Sequence, residues 1–395
     1  MGKAVQWLPG RSGITDDSAL SKSGEGVDFW LLSVALLLSG LGLVMVLSST
    51  GIMAERFYAD KYYFFMRHLI FLAVGLGVMT MAAVLPRQLY MRFAYLWLAL
   101  AGGLLVLTLV SPLGVQAGGA KRWLSLGPIM VQPLEVAKVA LVLYLASFFS
   151  RKQEMIRTFG IGFLPPVCIT GALCLLLLAQ PDFGGAASLM LLLFCISFVG
   201  GTRLVYLGAT SFMALMGGIF LVMSSPYRFR RWFAFLDPFQ DAQDVGYQLV
   251  QSLYALGSGG WLGAGLGTGK QKLFFLPAAH TDFILAVIGE ELGFIGVSMI
   301  FMLIAILFWR GLRIARLQDG LQERFIAFGM LLILALGAVL NMAVVLGVVP
   351  PKGVPMPFLS YGGSSLVISL FCVGVLLNLS RTAGSAAGVR NGVPI

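Results

Sequence analysis

The chain is predicted to be an all-α, polytopic integral membrane protein of ten transmembrane helices with one large, partly ordered extracytoplasmic loop. Three observations predict this. Of 395 residues, 58% are hydrophobic and 11% charged, whereas charged residues make up about 25% of a soluble domain. Apolar runs of the length that crosses a hydrocarbon layer, roughly 17–25 residues, recur through the chain. Between two of them lies a polar, Gly- and aromatic-rich stretch, 224–281, well beyond the ~12–15 residues of ordinary connections.

Residues 1–27 are Ser/Gly-rich and mixed in charge, and they predict a disordered tail. The first apolar run lies too far from the start, with flanks too acidic, for a cleaved signal peptide. A membrane domain follows over 28–381, with spans predicted at 28–49, 64–84, 93–111, 133–149, 161–179, 184–200, 204–223, 282–309, 325–347 and 361–380. Residues 382–395 are small and polar and predict a second tail. Glycines inside the spans (Gly40, Gly42, Gly75, Gly77, Gly102, Gly103) are what closely approaching membrane helices require.

Orientation follows from the basic residues, which collect on the cytoplasmic side. With an even number of spans the two tails share a side, and that side holds Lys3, Arg11, Lys22, Arg87, Arg92, Arg151, Lys152, Arg157, Arg203, Arg310, Arg313, Arg316 and Arg324. Both termini are therefore expected to be cytoplasmic and the 224–281 loop external. The net charge of +10 is mostly this belt; it favours anionic headgroups and gives no reason to invoke nucleic acid. Cys168, Cys174, Cys195 and Cys372 lie inside spans with no CxxC spacing, and the chain has two histidines. Neither a disulfide framework nor a metal site is predicted.

Charges inside a membrane domain are costly, at least ~2.5–3.5 kcal/mol each at mid-depth, and they mark cavities or pathways. In QPLEVAK, Glu135 and Lys138 stand three apart on one helix face and can pair; a self-neutralising structural pair and a functional one are both open. Asp182 in QPDFG opens the sixth span, where a helix N-cap is the favoured role. Asp282 in HTDF opens the eighth. It reads either as an N-cap or as a general base whose pKa apolar walls would raise, with Lys138 keeping it ionised if it reaches. Glu290 and Glu291 lie ~12 Å deeper in the same span, too far to form a carboxylate dyad with Asp282. His280 reads as an interfacial histidine. The cluster GSGGWLGAGLGTGK (257–270) fails the Walker A spacing at Ala264 and Gln271. It is either a flexible surface loop or a close approach of backbone amides to a phosphorylated ligand, aided by Lys270 and Lys272. Before the last span, four prolines and three glycines over 348–365 preclude a helix before about Leu359 and predict a rigid wedge dipping toward the bilayer.

GAKRW (119–123), QPLEVAK, QPDFG, the stretch from Phe235 to Gly296 that carries HTDF and GEELG, and PFLSYGGSS (357–365) resemble the SEDS family of bacterial cell-wall polymerases over the whole membrane body. GEELG and the Lys352-Gly353 pair lean toward its division branch over its elongation branch. Leu134 departs from the family, which has Ser there. The resemblance implies a ten-helix peptidoglycan glycosyltransferase that polymerises lipid II, an undecaprenyl-diphosphate disaccharide-peptide. It would act on the outer face of the cytoplasmic membrane at the division septum, with a class B penicillin-binding transpeptidase and other divisome proteins. It also implies Asp282 as the essential carboxylate and Lys138 as its partner. Glu135, Asp182, His280 and Ser360 are expected to support the site, and Arg122, Lys138, Lys270 and Lys272 to meet the diphosphate. A divalent cation such as Mg or Mn is compatible with that chemistry, and the sequence names no ligands for one. Two alternatives to division-branch polymerisation are an elongation-type polymerase and a lipid II flippase using Glu135, Lys138, Asp182 and Glu290 as a polar pathway. A third is a scaffold that recruits division partners.

Overall fold

The computed structural model describes residues 26–390 apart from positions 118, 128, 225, 241, 245 and 274; most of the expected N-terminal tail, and 391–395 of the second, lie outside the described residues. Thirteen α-helices run in the order α1 Phe29–Tyr58, α2 Tyr63–Val84, α3 Gln88–Arg92, α4 Ala94–Val110, α5 Pro133–Arg151, α6 Leu164–Ala179, α7 Phe183–Gly200, α8 Leu204–Met223, α9 Pro226–Leu236, α10 Tyr247–Gly259, α11 Ile284–Leu317, α12 Leu321–Val345 and α13 Gly363–Arg390. Nine stretches are long and apolar enough to cross a membrane among the described residues; the remaining predicted span, 93–111, is α4, an apolar helix of 17 residues. α13 passes the expected end at 380 and runs to Arg390. No proline interrupts the Ala-rich segment beyond Arg381, so nothing there stops the i to i−4 hydrogen-bond ladder.

One element was not anticipated. Between α4 and α5 the chain forms a three-stranded antiparallel sheet, β1 Gly114–Ala117, β2 Ala120–Leu126 and β3 Ile129–Val131, in the order β1-β2-β3. Gly119 and Gly127 supply the positive φ of its two turns. The GAKRW motif is thus the first turn and the start of the central strand of this sheet, and Lys121 ties it to the end of α4 by donating to the carbonyls of Leu109 (3.1 Å) and Ser111 (2.8 Å).

α5 forms the centre. Within the windows that qualify each helix as a span, 83% of the α5 residues are buried against 6% for α8. Ala137, Ala140, Ala146 and Ser147 keep α5 slim enough to pack against α4, α7 and α12 together, and α8 leans on the edge of α7, on α9 and, through Tyr206, on Phe159 and Phe163. Successive spans alternate in direction, so the sheet, the α6–α7 turn, the loop before α11 and the segment 346–362 before α13 gather at one end of the bundle. At the opposite end Asp28 caps α1, accepting from Leu31 N at 3.0 Å, and pairs with Arg310 at 2.7 Å, which ties α1 to α11.

The long loop is ordered over its described residues. It contains α9 and α10. Its glycine cluster folds onto α11, which breaks at Gly293 (φ 65, ψ −165). A side chain there would collide with the Gly263 amide at 2.3 Å, so only glycine permits both the kink and the contact.

Candidate active site

Four segments bring the polar lining of one cavity together. β2 supplies Arg122, the start of α5 supplies Gln132, Glu135 and Lys138, the start of α7 supplies Asp182 and Gly184, and the wedge supplies Lys352, Gly353 and Pro355. The wedge is held by the PFLSYGGSS motif. The Ser360 hydroxyl accepts from Met356 N at 2.8 Å and donates to the Thr281 carbonyl, Tyr361 N donates to the His280 carbonyl at 2.9 Å, and the Ser364 hydroxyl accepts from Gln132 N at 3.0 Å. The motif is a brace joining the HTDF loop to the start of α5. That is where Ser360 does its work: it meets backbone groups.

Inside the cavity Lys138 and Glu135 pair at 2.8 Å, as their spacing suggested. Asp182 caps α7, accepting from Gly185 N at 2.9 Å, and also faces Arg122 at 3.6 Å. Arg122 reaches across to the Pro181 carbonyl at 3.1 Å. The sequence marks Lys352 only as a pointer to the branch, yet it projects into this group. Its ammonium donates to the Gly184 carbonyl and forms no ion pair among the described residues. Burial lowers it to about 8; Asp182 pulls it up, while Lys138 and Arg122 push it further down. The signal that could have found Lys352 was a lysine between prolines in a segment already predicted to dip toward the bilayer.

Asp282 stands behind the turn tip at Gly353, where an added methyl would lie 3.0 Å from Oδ2. The N-cap alternative for it is corrected: Phe283 occupies the cap position of α11, and no side chain caps that helix. The Asp282 carboxylate accepts no hydrogen bond among the described residues. Burial raises its pKa to about 6, with Arg122 pulling the other way. A base of that strength is largely ionised at neutral pH and still strong enough to accept a proton.

Three expected residues lie elsewhere. The His280 ring packs against Phe64 and Tyr361 and is held neutral, its pKa lowered to about 4 by burial. Lys270 is exposed on the glycine loop. Lys272 is buried in an ion pair with Glu291 at 2.6 Å and donates to the Ser48 hydroxyl at 3.1 Å, so its charge is already matched inside the protein. The glycine loop does present backbone amides to an anion, but the anion is internal. Lys270 N donates to Glu290 at 2.7 Å and Gly267 N to Glu291 at 3.1 Å.

A family model described as cell cycle protein, covering FtsW, RodA and SpoVE, matches residues 29–384. A probable peptidoglycan glycosyltransferase FtsW of Trichlorobacter lovleyi is 46% identical over 353 residues, 89% of this chain and 93% of that protein. Among solved structures, a chain from a peptidoglycan synthase complex that coordinates polymerization and crosslinking is 29% identical with a TM-score of 0.75, over 90% of this chain and 98% of that one. The rod shape determining protein RodA of Thermus thermophilus is 27% identical with a TM-score of 0.64, over 90% and 97%.

Proposed function

We infer the activity from a plain premise: the chain belongs to the FtsW/RodA/SpoVE family of cell cycle proteins. It is a peptidoglycan glycosyltransferase that polymerises lipid II into glycan strands during cell division. It works in the cytoplasmic membrane at the septum with both termini cytoplasmic, and a class B penicillin-binding transpeptidase is its partner. The observation that carries the site assignment is the unbonded Asp282 carboxylate, pushed up to about 6 and set behind a cavity wall holding Arg122, Lys138 and Lys352.

Glycan growth forms a bond between a sugar 4-hydroxyl oxygen and an anomeric carbon while the bond from that carbon to undecaprenyl diphosphate breaks. Asp282 takes the hydroxyl proton as the oxygen attacks, and a single displacement inverts the anomeric centre. The electron pair of the broken bond leaves on the diphosphate. Positive groups placed in advance lower the cost of that developing charge, and the three cations that line the cavity suit it better than Lys272, which is buried against Glu291 away from the cavity. No second carboxylate of the kind glycosidases use, about 5–9.5 Å from the first, is needed, because diphosphate is a good leaving group.

The test is polymerisation of labelled lipid II by the purified full chain with its transpeptidase partner. Glycan ladders are expected. A protein that moves lipid II across liposome membranes but never links it would overturn the reading in favour of a flippase. Cysteines at Ser258 and Ser385 are expected to label from opposite sides of the membrane; labelling of both from the cytoplasm would remove the external site.

A further inference from the structure

Asn341 is a polar residue in the otherwise apolar stretch GAVLNMAVV of α12, and it is 1% exposed. A buried amide is costly unless its hydrogens are used. Both are: Nδ2 donates to the Asp282 carbonyl at 2.7 Å and to the Val354 carbonyl at 2.7 Å. The opposite amide orientation would set oxygen against two carbonyls, so these partners fix which end is nitrogen. The two acceptors belong to segments that lead into different helices, the HTDF loop before α11 and the wedge before α13. On the wedge side Val354 N closes back on the Lys352 carbonyl at 2.9 Å, which makes Lys352 to Val354 a tight turn with Gly353 at its tip. That tip is the atom group lying against the Asp282 carboxylate.

We propose that Asn341 is a positioning residue for the transfer: its one amide staples the Asp282 backbone to the Lys352–Val354 turn and so sets the base against the cation-bearing wall. The proposal rests on the reading of Asp282 as the base. Ser360 and Tyr361 tie the residues just before Asp282 to the wedge. Asn341 instead references Asp282 itself to a rigid helix, and sites built on rigid elements hold geometry better than loops hold one another.

The experiment uses the full chain with its transpeptidase and compares Asn341→Leu, Asn341→Gln and Asp282→Asn. In N341L, kcat is expected to fall at least twentyfold with KM for lipid II unchanged within about twofold. The acid limb of the pH profile should move down by half a unit or more as water reaches the carboxylate. Amide hydrogen exchange at 281–283 and 352–356 is expected to quicken together. N341Q, which keeps the donor on a longer stem, should fall between N341L and the parent on all three readouts, and it decides the matter if N341L does not fold. The staple is overturned if N341L keeps kcat within threefold while D282N is inactive. It is equally overturned if activity falls with the acid limb and both exchange rates unmoved, since that is a purely structural effect. If D282N polymerises normally, the base assignment fails on its own, and coupled exchange in the two segments still reports whether the staple exists.

Discussion

Two clusters of buried charge sit in this molecule, and they differ in how fully each carboxylate is used. At the kink of α11, Glu290 accepts from the amides of Lys270 (2.7 Å) and Gln271 (3.2 Å), and Glu291 accepts from Lys272, Ser48 and the Gly267 amide. Neither glutamate is more than 4% exposed. Every oxygen has a donor, so neither group can take a proton from a ligand without breaking an internal bond. In the cavity, Glu135 and Asp182 are partnered, but Lys352 meets only a carbonyl, and Asp282 accepts nothing among the described residues. Burial of charge therefore does not by itself distinguish a site from a fastening. Unspent hydrogen-bonding capacity does.

The largest effect expected from this difference is at Asp282. Asp282→Asn keeps the shape and removes the base, so polymerisation should fall by two orders of magnitude or more while membrane insertion is unchanged. Stability should move the other way. The folded pKa of about 6 lies above the ordinary value of 3.8, so the ionised carboxylate opposes folding, and that cost is complete above pH 6 and disappears as pH falls toward 4. At pH 7.5 the Asn variant should be more stable by on the order of 1–2 kcal/mol, allowing for partial exposure of the group. A variant that loses activity and melts earlier would mean that Asp282 is structural.

Removing a lysine from each cluster sharpens the comparison. Lys272→Met strands Glu291 in a dry site and should cost about 3–5 kcal/mol. Adding Glu291→Gln should recover part of that loss. Lys138→Met strands Glu135 on the wall of an open cavity where water can replace the ammonium, and the expected cost is about 1–2 kcal/mol, together with a clear loss of activity. Thermal melting of the two variants in the same detergent checks the order. Equal destabilisation would erase the distinction between the clusters.

Much of this was legible in the sequence because a bilayer imposes long-range regularity: ten apolar runs mark ten helices, and a charge within them must have a reason to be there. The Glu135–Lys138 pair and the Asp182 cap could be read because both are local, set by helical spacing and by the start of a helix. Glu290 and Glu291 are visible as costly charges, but their partners are not, since Ser48 comes from a distant helix and the 267–272 segment reaches them only through the fold of the glycine loop. Lys272 was misjudged for the same reason: a lysine in a glycine-rich loop gives no sign of the glutamate it meets. Asn341 left no trace in spacing or motif, because a single amide bridging two loops is a tertiary fact. The short sheet at 114–131 lacks a long alternating pattern, and two of its turns rest on single glycines.

The smallest expected effect concerns Lys352, and it tests whether the unspent cation belongs to the chemistry. With Asp282 near 6 and Lys352 near 8, the polymerisation rate should follow a bell, falling below pH 6 as the base is protonated and above pH 8 as the ammonium is lost. Lys352→Arg keeps a charge that does not titrate in this range. Its larger head disturbs the bond to the Gly184 carbonyl, so a loss of only severalfold is expected at pH 7. The alkaline limb, however, should disappear. Rates of the parent and K352R measured from pH 5 to 10, in single turnovers so that product release is not limiting, separate the outcomes. An alkaline limb that persists unchanged in K352R belongs to another group, and Lys352 would then join Lys272 as a fastening in place of a participant.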